Sequence, residues 1–252
     1  RLSNFQAAPT CAPSRAMLLS GSGNHEAGLG TSPGIEGEYG SEGFIQDRVA
    51  LLPEVLRAAG YHTFMSGKWH LGYMDDTDST LPGAKGFEKN YSLLASGDSH
   101  FKSVYESRVE WSENGKRLAE PPADYYSTSI FTDKLIGYLN SVKQSDAPFF
   151  AWFAPSAPHM PLHSPPGWEK YKSGDYARGY DDLCEKRLQG ALSTGVLGLN
   201  TAMQCFKTAV PWDELDAEEQ AIQARTMEVY AAMVAHLDQE IGRLLAALEE
   251  NG

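Results

Sequence analysis

Apolar residues recur along this chain in two periods, and the stretches between them are rich in glycine and proline. Leu51 to Gly60 reads as a short amphipathic helix closed by glycine, and Tyr61 to Ser66 follows as a strand. That pairing is a helix–strand unit of an α/β sheet. The spacing of Ile130, Phe131, Leu135, Ile136 and Leu139 predicts a helix over 128–143. The near-continuous apolar run from Pro148 to Ala154 then predicts a strand covered on both faces. It leads into Pro155-Ser156-Ala157-Pro158-His159-Met160-Pro161, a stiff loop at a strand end, where doubly wound sheets place their ligands.

The longest helix begins after Asp216, with apolar or small side chains at Ile222, Thr226, Val229, Met233, Leu237, Ile241, Leu244 and Leu248. This three-and-four spacing predicts one packed face over roughly 30 residues, about 45 Å at 1.5 Å per residue. Asp216 caps it, Glu218 and Glu219 suit its positive start, and Asn251-Gly252 supplies a stop. Near the other end of the chain Cys11 opens a helix, because Pro13 fits an early helical position and Arg15 to Leu19 continue the turn. Free N–H groups near residue 11 would then favour an anion. Residues 20–43 read as a long exposed loop, and residues 75–125 as loops and short strands around a cleft. There is no internal repeat.

Composition narrows the function classes. With 252 residues, 42% hydrophobic and 21% charged, the chain is of ordinary globular make-up. No stretch approaches a membrane-spanning length, and the start, Arg1-Leu2-Ser3-Asn4, has no leader pattern. A net charge of −12 argues against nucleic acid or an anionic membrane as partner. An anionic small molecule would need a local group of cations, for which Arg15, Lys68 and protonated histidines are available. The three cysteines, Cys11, Cys184 and Cys205, have neither zinc spacing nor the density of a disulfide framework. Cys184 and Cys205 read as buried or free thiols.

Two motifs carry the chemistry. Cys11-Ala12-Pro13-Ser14-Arg15, followed by an apolar run and Gly21, resembles the signature of the type I sulfatases. Gly67-Lys68-Trp69-His70-Leu71-Gly72 resembles that family's second signature, in the right order. A third, looser match surrounds His159. The similarity covers essentially the whole chain and is strongest to bacterial-type arylsulfatases.

The resemblance implies an alkaline-phosphatase-like α/β fold, with a mixed, mostly parallel sheet flanked by helices, present here as one incomplete domain over residues 1–252. It implies hydrolysis of sulfate monoesters through formylglycine (3-oxoalanine), made from Cys11 by a formylglycine-generating enzyme. One hydroxyl of the hydrated aldehyde attacks sulfur, and the other later loses its proton to expel sulfate. Arg15 would steady the hydrated aldehyde, Lys68 would contact sulfate, His70 would assist proton movement at residue 11, and His159 would protonate the leaving oxygen.

Each of these residues has a plain structural alternative: a buried thiol, a surface lysine, a histidine satisfied by a carbonyl, a strand cap. Their joint occurrence in two motifs favours the functional reading. His25 lies in a segment shared with the same relatives but without a role, and His163 reads as surface or secondary. Asp75-Asp76-Thr77-Asp78 lacks the glycine and distal glutamate of a calcium loop and reads as a solvated turn.

The family also uses a divalent cation, usually calcium, held by paired aspartates on an N-terminal strand and by an Asp-Asn or Asp-His pair on a later one. Of that set, only Cys11, as formylglycine, is expected within these 252 residues. A further lysine that contacts sulfate is expected beyond Gly252. The 252-residue chain alone is therefore expected to be nearly inactive. Two alternatives remain at this stage: a formylglycine-dependent phosphonate monoester or phosphodiester hydrolase, and a non-catalytic relative.

Overall fold

The structure is a computed structural model, and it describes residues 5–33, 37–72, 78–97, 99–101, 111–118, 126–171, 174, 176–198, 200–201 and 210–251. Five helices are described: α1 (Cys11–Ser20), α2 (Leu52–Ala58), α3 (Ser127–Asn140), α4 (Gly179–Ser193) and α5 (Ala217–Asn251). Five strands, β1 (His62–Lys68), β2 (Lys89–Leu93), β3 (Trp111–Glu113), β4 (Lys116–Leu118) and β5 (Phe149–Ala154), form one sheet in the order β4-β3-β2-β1-β5. β1 runs parallel to both β2 and β5, while β3 and β4 continue the sheet antiparallel. The sheet is thus mixed, with parallel pairings confined to its β2-β1-β5 side.

Strand periodicity sorts the core into two layers. On β1, Met65 joins Ala12, Ala16, Leu19, Trp69 and Phe87 on one face, whereas Phe64 joins Tyr91, Trp111, Phe131 and Leu135 on the other. β5 alternates in the same way, with Phe150 and Trp152 toward the first cluster and Ala151 and Phe153 toward the second. Helices α1 and α2 supply one layer and α3 the other, as an α/β sheet requires.

Several expectations are met. The helix at Cys11 forms and ends with Gly21 in the left-handed region, its N–H bonded to the Met17 carbonyl. Asp216 caps α5 by accepting from the N–H groups of Glu218 and Glu219, both at 2.9 Å, while Glu219 reaches back to the Asp216 N–H at 3.0 Å. Glu54 likewise accepts from the Leu51 N–H at 2.7 Å ahead of α2.

Other expectations change. β5 packs on both faces as expected, but its cover is partial: Phe149 remains 44% exposed, and among the described residues only β1 pairs with the strand. The loop over 20–43 is not exposed throughout: Ala27 and Leu29 are fully buried in the first core cluster. On α5, Ile222 and Ile241 face solvent while Glu228 and Glu240 are buried. Glu240 tolerates burial because Ser129 Oγ donates to it at 3.1 Å and Arg243 pairs with it at 2.6 Å. Cys184 is disulfide-bonded, not a thiol. Cys205 and Asp75 to Thr77 lie outside the described residues.

By its contacts the chain forms two compact units, residues 1–161 with 236–252, and residues 162–235. Within the second, Tyr180 meets the Trp212 ring edge-on at 5.2 Å, and Arg225 lies over Trp168 at 5.2 Å and pairs with Glu228 at 2.6 Å. No helix among the described residues is long and apolar enough to cross a membrane.

Candidate active site

The site is built in the first unit, where the chain leaves the C-terminal ends of the three parallel strands. This is the edge at which α/β sheets bind ligands. Lys68 ends β1 and His70 follows it, the loop after β5 carries His159, and α1 brings Cys11 and Arg15 to the same place.

Cys11 is the first residue of α1, with its Sγ 3.2 Å from His70 Nδ1. Arg15 lies four residues on, so it shares the face of Cys11. Its Nε donates to the Trp69 carbonyl at 2.9 Å, its terminal nitrogen donates to the Lys68 carbonyl, and its guanidinium lies 4.8 Å from the centre of the Trp152 ring. Arg15 therefore ties the first motif to the backbone of the second. A planar fork with several donors can bond two carbonyls and stack on a ring, which an ammonium cannot.

The sequence predicts Lys68 and His70 on one side only if the chain stays extended. It does not: β1 ends at Lys68, and His70 has φ 57°, in the left-handed region that side chains other than glycine rarely adopt. Both residues still reach the neighbourhood of Cys11, through this turn and not through strand alternation. Trp69, between them, is fully buried, and its indole N–H donates to the Thr80 carbonyl at 2.8 Å. Gly67, at φ 129°, lets β1 pass so close to β5 that a Cβ would overlap the Ala154 carbonyl.

Burial governs the electrostatics. Lys68 is 4% exposed and His70 2%. Burial, then the charges of Lys68, Arg15 and His159, push the His70 imidazole down to about 3. At neutral pH it is uncharged and can accept the thiol proton at Nδ1. This corrects the expectation that protonated histidines add to the cation group, as far as His70 is concerned. Burial lowers Arg15 to about 10, still protonated. Lys68 is lowered by burial and by Arg15, against the opposing pull of Cys11. Among the described residues no carboxylate pairs with Arg15 or Lys68.

His159 is exposed at the mouth of this group. Its Nδ1 lies 2.7 Å from the Met160 carbonyl, so Nδ1 carries a proton and Nε2 is left for exchange. A cavity of about 620 Å³ opens beside Cys11 along the outer edge of β5, walled by Phe5, Arg15, Leu18, Trp152 and Phe153. His25 is exposed, and its carbonyl accepts from Arg48 at 3.3 Å. His163 is half-buried at the start of the second unit.

The structure thus gathers Cys11, Arg15, Lys68, His70 and His159 about one point. Sequence reasoning missed Trp152, under the Arg15 guanidinium, and His100, which holds the His159 backbone. His100 lies just beyond β2, a third parallel strand end, but the short β2 has no strong period and was hidden in a region read as loops. No group of three or more His, Cys, Asp or Glu side chains that could hold a metal ion occurs among the described residues. These residues therefore do not by themselves form the calcium site that the resemblance implies.

The sequence model of the sulfatases matches residues 1–252. The whole chain aligns at 41% identity with an uncharacterised sulfatase of Schizosaccharomyces pombe, covering 48% of that protein. It aligns over its full length at 32% identity with an arylsulfatase of Klebsiella aerogenes, covering 55% of it. The chain spans about half the length of the curated relatives it matches. Among solved structures, Ps i-CgsB in complex with k-i-k-neocarrahexaose superposes with a TM-score of 0.62 over 96% of this chain and 45% of that one, at 22% identity. The PsFucS1 sulfatase from Pseudoalteromonas sp. gives 0.55 over 98% and 43%, at 20% identity. These structures share the alkaline-phosphatase-like fold. With two signature motifs meeting at one strand edge, and a family match from the first residue to the last, the chain belongs to the sulfatase family.

Proposed function

We propose that this protein hydrolyses sulfate monoesters, with residue 11 acting as nucleophile after oxidation of Cys11 to formylglycine. The observation that carries the reading is the pair of cations, buried Lys68 and half-buried Arg15, set beside Cys11 with no carboxylate partner among the described residues. Burying a charge without a counter-charge is costly. A site that tolerates the cost is arranged to receive an anion, and a sulfate ester is one.

Hydrated formylglycine supplies a hydroxyl nucleophile at position 11. The other roles belong to side chains already in place. Lys68 offsets charge on the sulfuryl oxygens. Arg15 holds the Lys68–Trp69 backbone, and with it the distance between the two motifs. His70 Nδ1, 3.2 Å from the residue 11 side chain, is placed to take a proton from it. An anion beside Lys68 and Arg15 counters two of the charges that depress His70, so substrate itself makes this base stronger. His159 would protonate the leaving oxygen as a doubly protonated ring, giving up the Nε2 proton and ending as the Nδ1–H tautomer that bonds the Met160 carbonyl.

Formylglycine and a divalent cation are general in the family, and for this protein we infer Ca²⁺. Its remaining ligands are expected outside the described residues, and no step above is routed through it. A formylglycine-generating enzyme is the implied maturation partner.

The test uses the longest natural form of this protein, co-expressed with a formylglycine-generating enzyme. Peptide mass spectrometry across residue 11 should find the aldehyde. An aryl sulfate should turn over, and Cys11→Ala should lower the rate by about 10⁴-fold or more. A persistent thiol under those conditions removes the nucleophile and overturns the reading. Faster turnover of an aryl phosphonate ester than of the aryl sulfate would replace the substrate class while keeping the nucleophile.

A further inference from the structure

Two residues that follow β2, Gly97 and His100, both approach His159. His100 is 1% exposed, and both ring nitrogens have partners. Nε2 lies 3.0 Å from the His159 carbonyl oxygen, and Nδ1 lies 2.5 Å from Ser127 Oγ. A carbonyl can only accept, so Nε2 carries a proton and donates it. In the neutral ring Nδ1 then accepts from the Ser127 hydroxyl. Ser127 also donates its backbone N–H to the His100 carbonyl at 2.9 Å. The first residue of α3 therefore grips His100 at two points, and the His100 ring stacks on Tyr126 at 5.8 Å between centroids.

Gly97 approaches the imidazole of His159 so closely that a Cβ there would lie 2.8 Å from His159 Nδ1 and 3.2 Å from the Met160 carbonyl oxygen. His159 is thus exposed at its reactive edge and fixed elsewhere: its carbonyl by His100, its ring by the Gly97 backbone, its Nδ1 by Met160. An exposed histidine on a loop would ordinarily sample several rotamers. Three contacts on one exposed residue are more than a strand end needs.

We propose that His100 is a positioning residue for His159, holding its backbone so that Nε2 stays directed at the leaving-group oxygen. The proposal rests on the reading of His159 as proton donor in sulfate ester hydrolysis. Displacing a reacting group by about 1 Å can cost about 100-fold in rate, so a backbone bond to the donor's own carbonyl is an effective place to control it. The loop after β2 thereby joins those after β1 and β5 in the site.

The experiment compares kcat/KM for two aryl sulfates on the full-length, formylglycine-bearing enzyme. One has a poor leaving group, an unsubstituted phenol, and the other a good one, 4-nitrophenol. Donor misplacement penalises the poor leaving group selectively, whereas general destabilisation slows both alike. His100→Ala should lower turnover of the phenyl ester by about 10- to 100-fold and of the nitrophenyl ester by less than about 3-fold. His100→Gln, whose amide N–H can reach the same carbonyl, should recover most of the loss. His100→Ala added to His159→Ala should cost nothing further, because the two act as a unit.

Equal losses on both esters, or independent effects in the double variant, would overturn the proposal. If His100→Ala does not fold, Gly97→Ala, which presses on the ring from the other side, should reproduce the leaving-group signature, and its failure to do so counts against the proposal. A readout without turnover separates this inference from the functional one. Two-bond ¹⁵N–¹H spectra of the native protein should show His159 with Nδ1 protonated and His100 with Nε2 protonated, with the His159 signals altered in His100→Ala. An enzyme that turns over neither ester but shows those spectra fails the sulfatase reading and keeps the positioning bond. Unaltered His159 signals defeat the positioning bond.

Discussion

The three parallel strands β2, β1 and β5 have two ends, and each end gathers a histidine, a hydroxyl or thiol, and charged groups. At the N-terminal end, His62 Nδ1 is 2.9 Å from Glu88 and its Nε2 is 2.9 Å from Ser145 Oγ. At the C-terminal end, His70 Nδ1 is 3.2 Å from Cys11 Sγ, with Lys68 and Arg15 nearby. On paper the first looks more like a catalytic row, an acid, a histidine and a serine in line. Yet His62 and Glu88 are 25% and 35% exposed, so the row is open to solvent. At the second, Lys68 and His70 are buried and Arg15 half-buried, and the two cations have no carboxylate partner among the described residues. What separates a site from a surface hydrogen-bond row is the unbalanced buried charge and not the residue types.

The comparison breaks most sharply at Lys68. Lys68→Met removes a buried cation while keeping the packing volume. It should cost about 100- to 1000-fold in sulfatase kcat/KM, yet raise stability by about 1 kcal/mol, because an uncompensated charge no longer has to be buried. Kinetics and a denaturant melt on one preparation give both numbers, and a variant that loses stability would show that Lys68 is paired in the folded protein after all.

Arg15→Lys keeps the charge but loses the fork that bonds two carbonyls and stacks on Trp152. It should destabilise by about 1–3 kcal/mol and lower turnover by about 10-fold, through slippage of the second motif against the first. Wild-type melting behaviour would mean that the charge alone matters.

His70 should also couple folding to pH. His70 falls from 6.5 to about 3 on folding, so between those values the unfolded chain binds a proton at residue 70 that the folded chain does not. Its contribution is then fully present above pH 6.5 and is lost progressively as the pH falls toward 3. In His70→Asn, the rise of stability with pH over that window should be shallower by up to one proton, measured by urea unfolding at a series of pH values. An unchanged slope would mean that His70 is not held neutral by burial.

The smallest effect belongs to the other end. His62→Ala should cost about 1 kcal/mol or less and leave aryl sulfate turnover within about 2-fold of the native value, since exposed pairs contribute little. A large loss of turnover there would undo the distinction between the two strand ends.

Much of the local structure is legible in the sequence. Cys11 opening a helix, the helix–strand unit from Leu51 to Ser66, the helix over 128–143, observed as Ser127–Asn140, and the Asp216 cap depend on periodicity, capping and turn residues, which act over a few positions. Cys11, Arg15, Lys68 and His70 were legible because two motifs keep their spacing, and His159 through a third, looser match. His100 was not, because its significance rests on the His159 carbonyl and Ser127, 59 and 27 residues away. The burial of Glu240 was equally hidden, since the partner that makes it tolerable, Ser129, is 111 residues distant.

Residue type and spacing mark which side chains are candidates for the chemistry and on which local elements they ride, because helix starts, strand periods and glycine turns are short-range effects. The state of those side chains is set by tertiary contacts. His70 is neutral, Lys68 and Arg15 are cations without carboxylate partners among the described residues, and the His159 carbonyl is held by His100. Each of these follows from desolvation and from contacts between loops that meet only when β2, β1 and β5 align in parallel, and no window of sequence contains that alignment.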